Sequence, residues 1–133
     1  MTPSEVGALT ELAVAMALTK ADLRVFLPFF NAHGRVDLMY QNADGEARRV
    51  QCKTAHRAGD VIRFYTCSHT GGVERGYRGE ADEFGVYCAA TESVYLVPVE
   101  DVPTRLASLR LAPARNNQAI GVRWAEKYRL GPP

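Results

Sequence analysis

The 133 residues contain no apolar run of about 20 residues, the length that a membrane-spanning helix needs. No basic, apolar, small-residue leader of the secretory kind is present either, so the sequence reads as a cytoplasmic protein that does not cross a membrane. Cysteine is scarce and odd in number. Cys52, Cys67 and Cys88 stand too far apart for a zinc-ligand pattern, which predicts reduced, mostly buried thiols. The histidines, His33, His56 and His69, are scattered through loop-like sequence, and none is read as a ligand or base. An excess of one charge is missing as well: 16 Lys and Arg against 15 Asp and Glu leave +1. That balance does not exclude nucleic acid, because a basic face can be offset by acids elsewhere. With 47% hydrophobic and 23% charged residues, disorder and fibrous architectures are excluded, and the length fits one domain over 1–133.

"TPSE" is a helix start: Thr2 caps, Pro3 suits the first turn, and Glu5 closes a capping box. The spacing predicts a helix over 3–20 whose body carries one charge, Glu11. At about 100° per residue, Gly7, Val14, Ala15 and Leu18 fall within about 60° of Glu11, which places it on an apolar or tightly packed stripe. A carboxylate buried there needs a cation, a metal or a hydrogen-bond network. The alternative is a helix with one wet edge on which Glu11 lies.

Strand character follows at 24–29, 36–40, 47–53 and 61–66. A Gly-rich, charged stretch at 68–83 reads as a long loop. "FGVYCAA" and "SVYLVPV" are two further strands around a short turn. The tail from about 105 is the most basic segment, and Trp124 in "RWAEKY" fits a short terminal helix packed on the sheet. These elements predict an α/β fold with a mixed β-sheet flanked by helices.

In "RVDLMYQNADGEARRVQCK", Val36, Leu38 and Tyr40 share one strand face and Asp37 takes the other, while Val50 and Cys52 oppose Gln51 and Lys53. A two-residue loop at Asp44 and Gly45 would pair Asp37 with Cys52 and turn it into the core. A three-residue loop, Ala43 to Gly45 with Gly45 left-handed, pairs Asp37 with Gln51 and matches both apolar faces, so it is preferred. It clusters a carboxylate, an amide and an ammonium. Asp37, Gln51 and the helical Glu11 could then offer oxygen ligands to a hard divalent cation, with Lys53 orienting water or offsetting charge, a set suited to phosphodiester hydrolysis. The plain alternative is an Asp37–Lys53 ion pair on a solvated face.

These residues, together with "GALTELAVAMAL", "VQCKT", "YRGEADEFGVY", "VYLVPVEDV" and "RNNQAIGVRWAEKY", resemble the PD-(D/E)XK nucleases. The likeness is strongest to the small family typified by a group I intron-encoded homing endonuclease, in which Gln replaces the second acid. The resemblance implies a restriction-endonuclease-like core and a Mg²⁺-dependent DNA endonuclease of homing or junction-resolving type, with Mn²⁺ as an alternative ion. It assigns Asp37, Gln51 and Glu11 as metal ligands and Lys53 as the catalytic lysine. It also implies a homodimer or homotetramer on double-stranded or branched DNA. "RVD" stands in place of "PD", and Gln51 removes one negative charge, which leaves open a catalytically inactive DNA-binding or assembly module of the same fold. Arg57, Arg63, Arg75, Tyr77 and Arg78 are candidate DNA contacts, unless their loop is simply solvated. In "RNNQ", Arg115 and Asn116 could reach DNA, although Asn pairs also close turns. Asp82 could join the site, or, since it precedes a strand, serve as a structural cap or a partner for Arg78.

Overall fold

A computed structural model describes residues 1–30, 34–113 and 121–131. Helix α1 (Pro3–Lys20) begins as its sequence dictates, with the Thr2 hydroxyl accepting from the Glu5 backbone N–H at 3.2 Å. Its buried residues are Thr10, Val14 and Leu18, spaced by one turn each, flanked by half-buried Ala13, Ala15 and Ala17. Glu11 is therefore exposed rather than set in a packed stripe. Apolar residues occur all round this helix, with Leu9, Leu12 and Met16 left at the surface, so the wheel alone does not single out the inward face.

Among the described residues nine strands follow: β1 (Arg24–Phe26), β2 (Leu38–Gln41), β3 (Ala47–Ala58), β4 (Val61–Tyr65), β5 (Cys67–Thr70), β6 (Val73–Gly76), β7 (Glu83–Cys88), β8 (Ser93–Pro98) and β9 (Leu106–Arg110). Seven form a mixed sheet in the order β1-β2-β3-β4-β9, with β7 joined to β3 in parallel and to β8 antiparallel. The long β3 serves three partners in succession: β2 along 47–50, β7 along 50–55 and β4 along 56–58. Alternate β3 residues feed two cores. Val50 and Cys52 join Val14, Leu18, Leu38 and Tyr40 beneath α1, while Ala55 joins Ile62, Phe64, Phe84 and Val86 on the other face. Gly85 lets α1 lie close, since a Cβ there would come within 2.7 Å of Val14 Cγ1 and 2.9 Å of Val50 Cγ1. This is a restriction-endonuclease-like α/β fold.

The β2–β3 hairpin has the expected three-residue loop. Gln41 pairs with Ala47, Asn42 N–H donates to Glu46 O at 2.9 Å, and Gly45 is left-handed at φ +83°. The ladder ends with Leu38 opposite Val50, and the Asp37 N–H just before it also donates to Val50 O, so the expected Asp37–Gln51 pair falls beyond the paired register.

Three expectations need correction. The stretch 68–83 is not one loop: β5 and β6 pair about a Gly71–Gly72 turn with φ of +59° and +79°, a conformation that glycines adopt without strain. The basic tail contains β9, which pairs with β4 and buries Ala107 and Leu109. The first strand stops at Phe26, because Pro28 constrains Leu27 and offers no N–H to a ladder; Leu27, Phe29 and Phe30 are exposed. The short terminal helix α2 (Ala125–Tyr128) forms as expected and packs on β8.

Candidate active site

The site lies where β3 has left β2 and not yet reached β4, so that Gln51–Ala55 has β7 as its one partner among the named ladders. Asp37 sits one residue before β2, where the chain splays from β3. Its backbone N–H donates to Val50 O at 2.9 Å, and its Oδ2 accepts from the Cys52 N–H at 2.7 Å. The carboxylate thus satisfies a backbone donor that the departing strand would otherwise abandon.

Glu11, on α1, comes close enough to this carboxylate to act on its ionisation. Burial pushes the Asp37 carboxyl up from its ordinary 3.8, against the lowering effect of Cys52 N–H, Glu11 and the nearby Lys53 charge. The Cys52 thiol is also pushed up, mainly by burial and then by Asp37 and Glu11, so it is an inert core group next to two acids.

Gln51, paired with Phe84 of β7, has its Oε1 sealed from solvent with no hydrogen-bond partner among the described residues. An amide oxygen in that condition costs about 1–3 kcal/mol unless a ligand satisfies it. Two neighbouring acidic side chains and the Gln51 carbonyl oxygen are all hard oxygen donors. Such a set fits Mg²⁺ or Mn²⁺ and does not favour a thiophilic ion.

Lys53 emerges on the Gln51 face of β3. Its Nζ donates to Tyr77 Oη at 3.2 Å and lies 3.5 Å from Cys67 O and 4.6 Å from the Tyr77 ring centroid. The expected Asp37–Lys53 ion pair on a solvated face is not how the lysine is held. Tyr77 has its other contacts on Arg35, whose guanidinium carbon is 3.8 Å from the ring centroid, and on Phe84 at 5.7 Å. Arg35 is anchored in turn by Glu80 (3.2 Å), Ser68 Oγ (2.5 Å) and the carbonyls of Arg75 and Gly76. The hairpin β5–β6 therefore fixes both Lys53, through Tyr77 and Cys67, and the segment leading into Asp37, through Arg35. Sequence reasoning missed Arg35; its position two residues before the acid was the available signal.

The candidate DNA contacts are divided. Tyr77 is 4% exposed with its hydroxyl taken by Lys53, so it is a support for the site and not a backbone contact. Arg75 pairs with Glu80 at 2.8 Å, and Arg57 donates to Gly59 O at 2.8 Å beside Asp60. Arg63 and Arg78 are exposed. Arg115 and Asn116 lie outside the described residues. Asp82 partners Arg49 rather than Arg78, accepting from its backbone N–H at 2.8 Å and from its guanidinium at 3.0 and 3.1 Å. This Arg49 guanidinium holds the Asp82 carboxyl below its ordinary 3.8.

Three comparisons bear on the chain. A family model described as PD-(D/E)XK endonuclease matches residues 1–131. Among solved structures, a bacterial homing endonuclease is similar over 97% of this chain and 89% of its own, with a TM-score of 0.77 at 19% identity. No significant match is found among curated proteins.

Proposed function

The chain belongs to the PD-(D/E)XK endonuclease family, and from that premise we propose that it is a divalent-metal-dependent DNA endonuclease of homing or junction-resolving type, using Mg²⁺ or Mn²⁺. The observation that carries this reading is the buried Gln51 Oε1, which has no hydrogen-bond partner among the described residues, on the strand whose Cys52 N–H binds the half-buried Asp37 carboxylate beside Glu11. Asp37, Glu11 and Gln51 would hold the ion. A bound divalent ion would polarise the scissile phosphate and make a bound water more acidic. The protein's own groups have separable roles. Asp37 is pinned by Cys52 N–H, so its ligating direction is set before any ion arrives. Lys53, held by a neutral hydroxyl and a carbonyl rather than by a carboxylate, keeps its positive charge available to the negative charge that develops on the phosphate oxygens. Gln51 would supply an oxygen without a charge, which would leave more of the cation's charge to the substrate and make Glu11 the second anionic ligand.

Double-stranded or branched DNA is the proposed substrate. The resemblance favours a cytoplasmic homodimer or homotetramer, in which paired sites would cut both strands. Plasmid and branched DNA incubated with Mg²⁺ or Mn²⁺ should be nicked or linearised, and both Lys53→Ala and Asp37→Asn should abolish the reaction. If the variants cut as well as the parent, the assignment fails. Retention of DNA without cleavage under either metal would point instead to a binding module that has lost catalysis.

A further inference from the structure

Outside the nuclease site, the hairpin β5–β6 assembles three potential ligands that the sequence keeps apart. Cys67 and His69 are two residues apart on one strand and so share a face, and Glu74 is paired directly with His69 across the ladder. Cys67 Sγ, a ring nitrogen of His69 and a carboxylate oxygen of Glu74 all lie within 4.8 Å of one another. In a tetrahedral zinc site, bonds of about 2.0–2.3 Å put ligand atoms about 3.3–3.7 Å apart. The His69 Nε2 to Glu74 Oε1 separation, 3.4 Å, already has that value. Cys67 is 5% exposed, while His69 and Glu74 are about half exposed, so the thiol forms the floor and the other two the rim.

We propose that Cys67, His69 and Glu74 form a second metal site that takes Zn²⁺ or a similar borderline transition-metal ion, with water completing the coordination. A sulfur, imidazole and carboxylate set selects such an ion, whereas the oxygen-only set at Asp37 selects a hard one, so the two sites sort different metals. Charge balances on binding: the Cys67 thiol releases its proton to solvent, and thiolate and carboxylate together neutralise a divalent ion. Arg105 borders the site: its Nε is 3.3 Å from Glu74 Oε1, and its carbonyl accepts from Cys67 Sγ at 3.8 Å, a thiol proton that metal binding would remove. The site also lies on the residue whose carbonyl accepts from Lys53 at 3.5 Å, so an ion here would stiffen the support of the catalytic lysine.

The test is a Co²⁺ titration of the chelator-treated protein. One equivalent should give a near-ultraviolet thiolate-to-Co(II) charge-transfer band, removed by stoichiometric Zn²⁺. Cys67→Ser should lose the band, Cys52→Ser should keep it, and His69→Ala, at an exposed position where folding is not at stake, should weaken Co²⁺ binding about tenfold or more. Absence of the band in the parent, its persistence in Cys67→Ser, or its loss in Cys52→Ser instead would overturn the proposal. The readout is a sulfur-specific absorption, so it stands or falls independently of DNA cleavage.

Discussion

Replacing Gln51 with Met should stabilise the metal-free protein while removing its proposed activity. In the absence of an ion, the buried Oε1 has given up water and gained no partner among the described residues, a deficit of about 1–3 kcal/mol. Methionine has similar length and volume and no polar atom to strand, so most of that deficit should be recovered. For a chain of this size about 1 kcal/mol corresponds to roughly 3–6 °C in Tm, which gives an expected rise of roughly 3–15 °C in chelator. Gln51→Glu should move the other way. It adds a third carboxylate beside Asp37 and Glu11, lowering Tm in chelator but enlarging the increase in Tm that Mg²⁺ produces. Calorimetric melts of the three proteins with chelator and across a Mg²⁺ series, alongside plasmid cleavage, make the comparison. The reasoning is refuted if Gln51→Met melts no higher than the parent in chelator and still cuts DNA.

Tyr77→Phe keeps the ring against Arg35 and Phe84 but deletes the acceptor of the Lys53 ammonium; single-turnover cleavage should slow about tenfold, the equivalent of ~1.4 kcal/mol, with Tm nearly unchanged. Asp82 is ionised more readily in the folded state than when unfolded, so its contribution is present above about pH 4 and is lost as pH falls through its lowered value. Urea midpoints should therefore place Asp82→Asn below the parent at pH 7, with the gap closing towards pH 3. Gly85→Ala forces a methyl into Val14 and Val50 and should cost ~1–3 kcal/mol in equilibrium unfolding.

The β2–β3 hairpin was legible because two constraints agreed: the apolar faces of Leu38 and Val50 and the left-handed Gly45 permit one register. Helix α1 offered no such agreement. Its apolar residues surround the axis, and the inward direction is decided by packing partners such as Gly85 and by the 2.6 Å Thr10–Thr54 hydrogen bond, which no local pattern encodes. The hairpin β5–β6 carries polar residues on both faces, so alternation was silent there although Gly71–Gly72 marked its turn. β9 was hidden by the basic residues around Ala107 and Leu109. The support behind Lys53 joins residues 35, 53, 67 and 77, and contacts at that separation are a property of the fold rather than of any motif.

The stack of Arg35, Tyr77 and Lys53 also bears on how this chain can diverge. Arg35 contacts Ser68, Glu80 and the carbonyls of Arg75 and Gly76, while Tyr77 is the surface on which both cations rest. A change at either position would free the other cation to move, so the two should drift together across descendants. The Gly71–Gly72 tip, where an added Cβ meets nothing within 4 Å, can lengthen or shorten without that constraint.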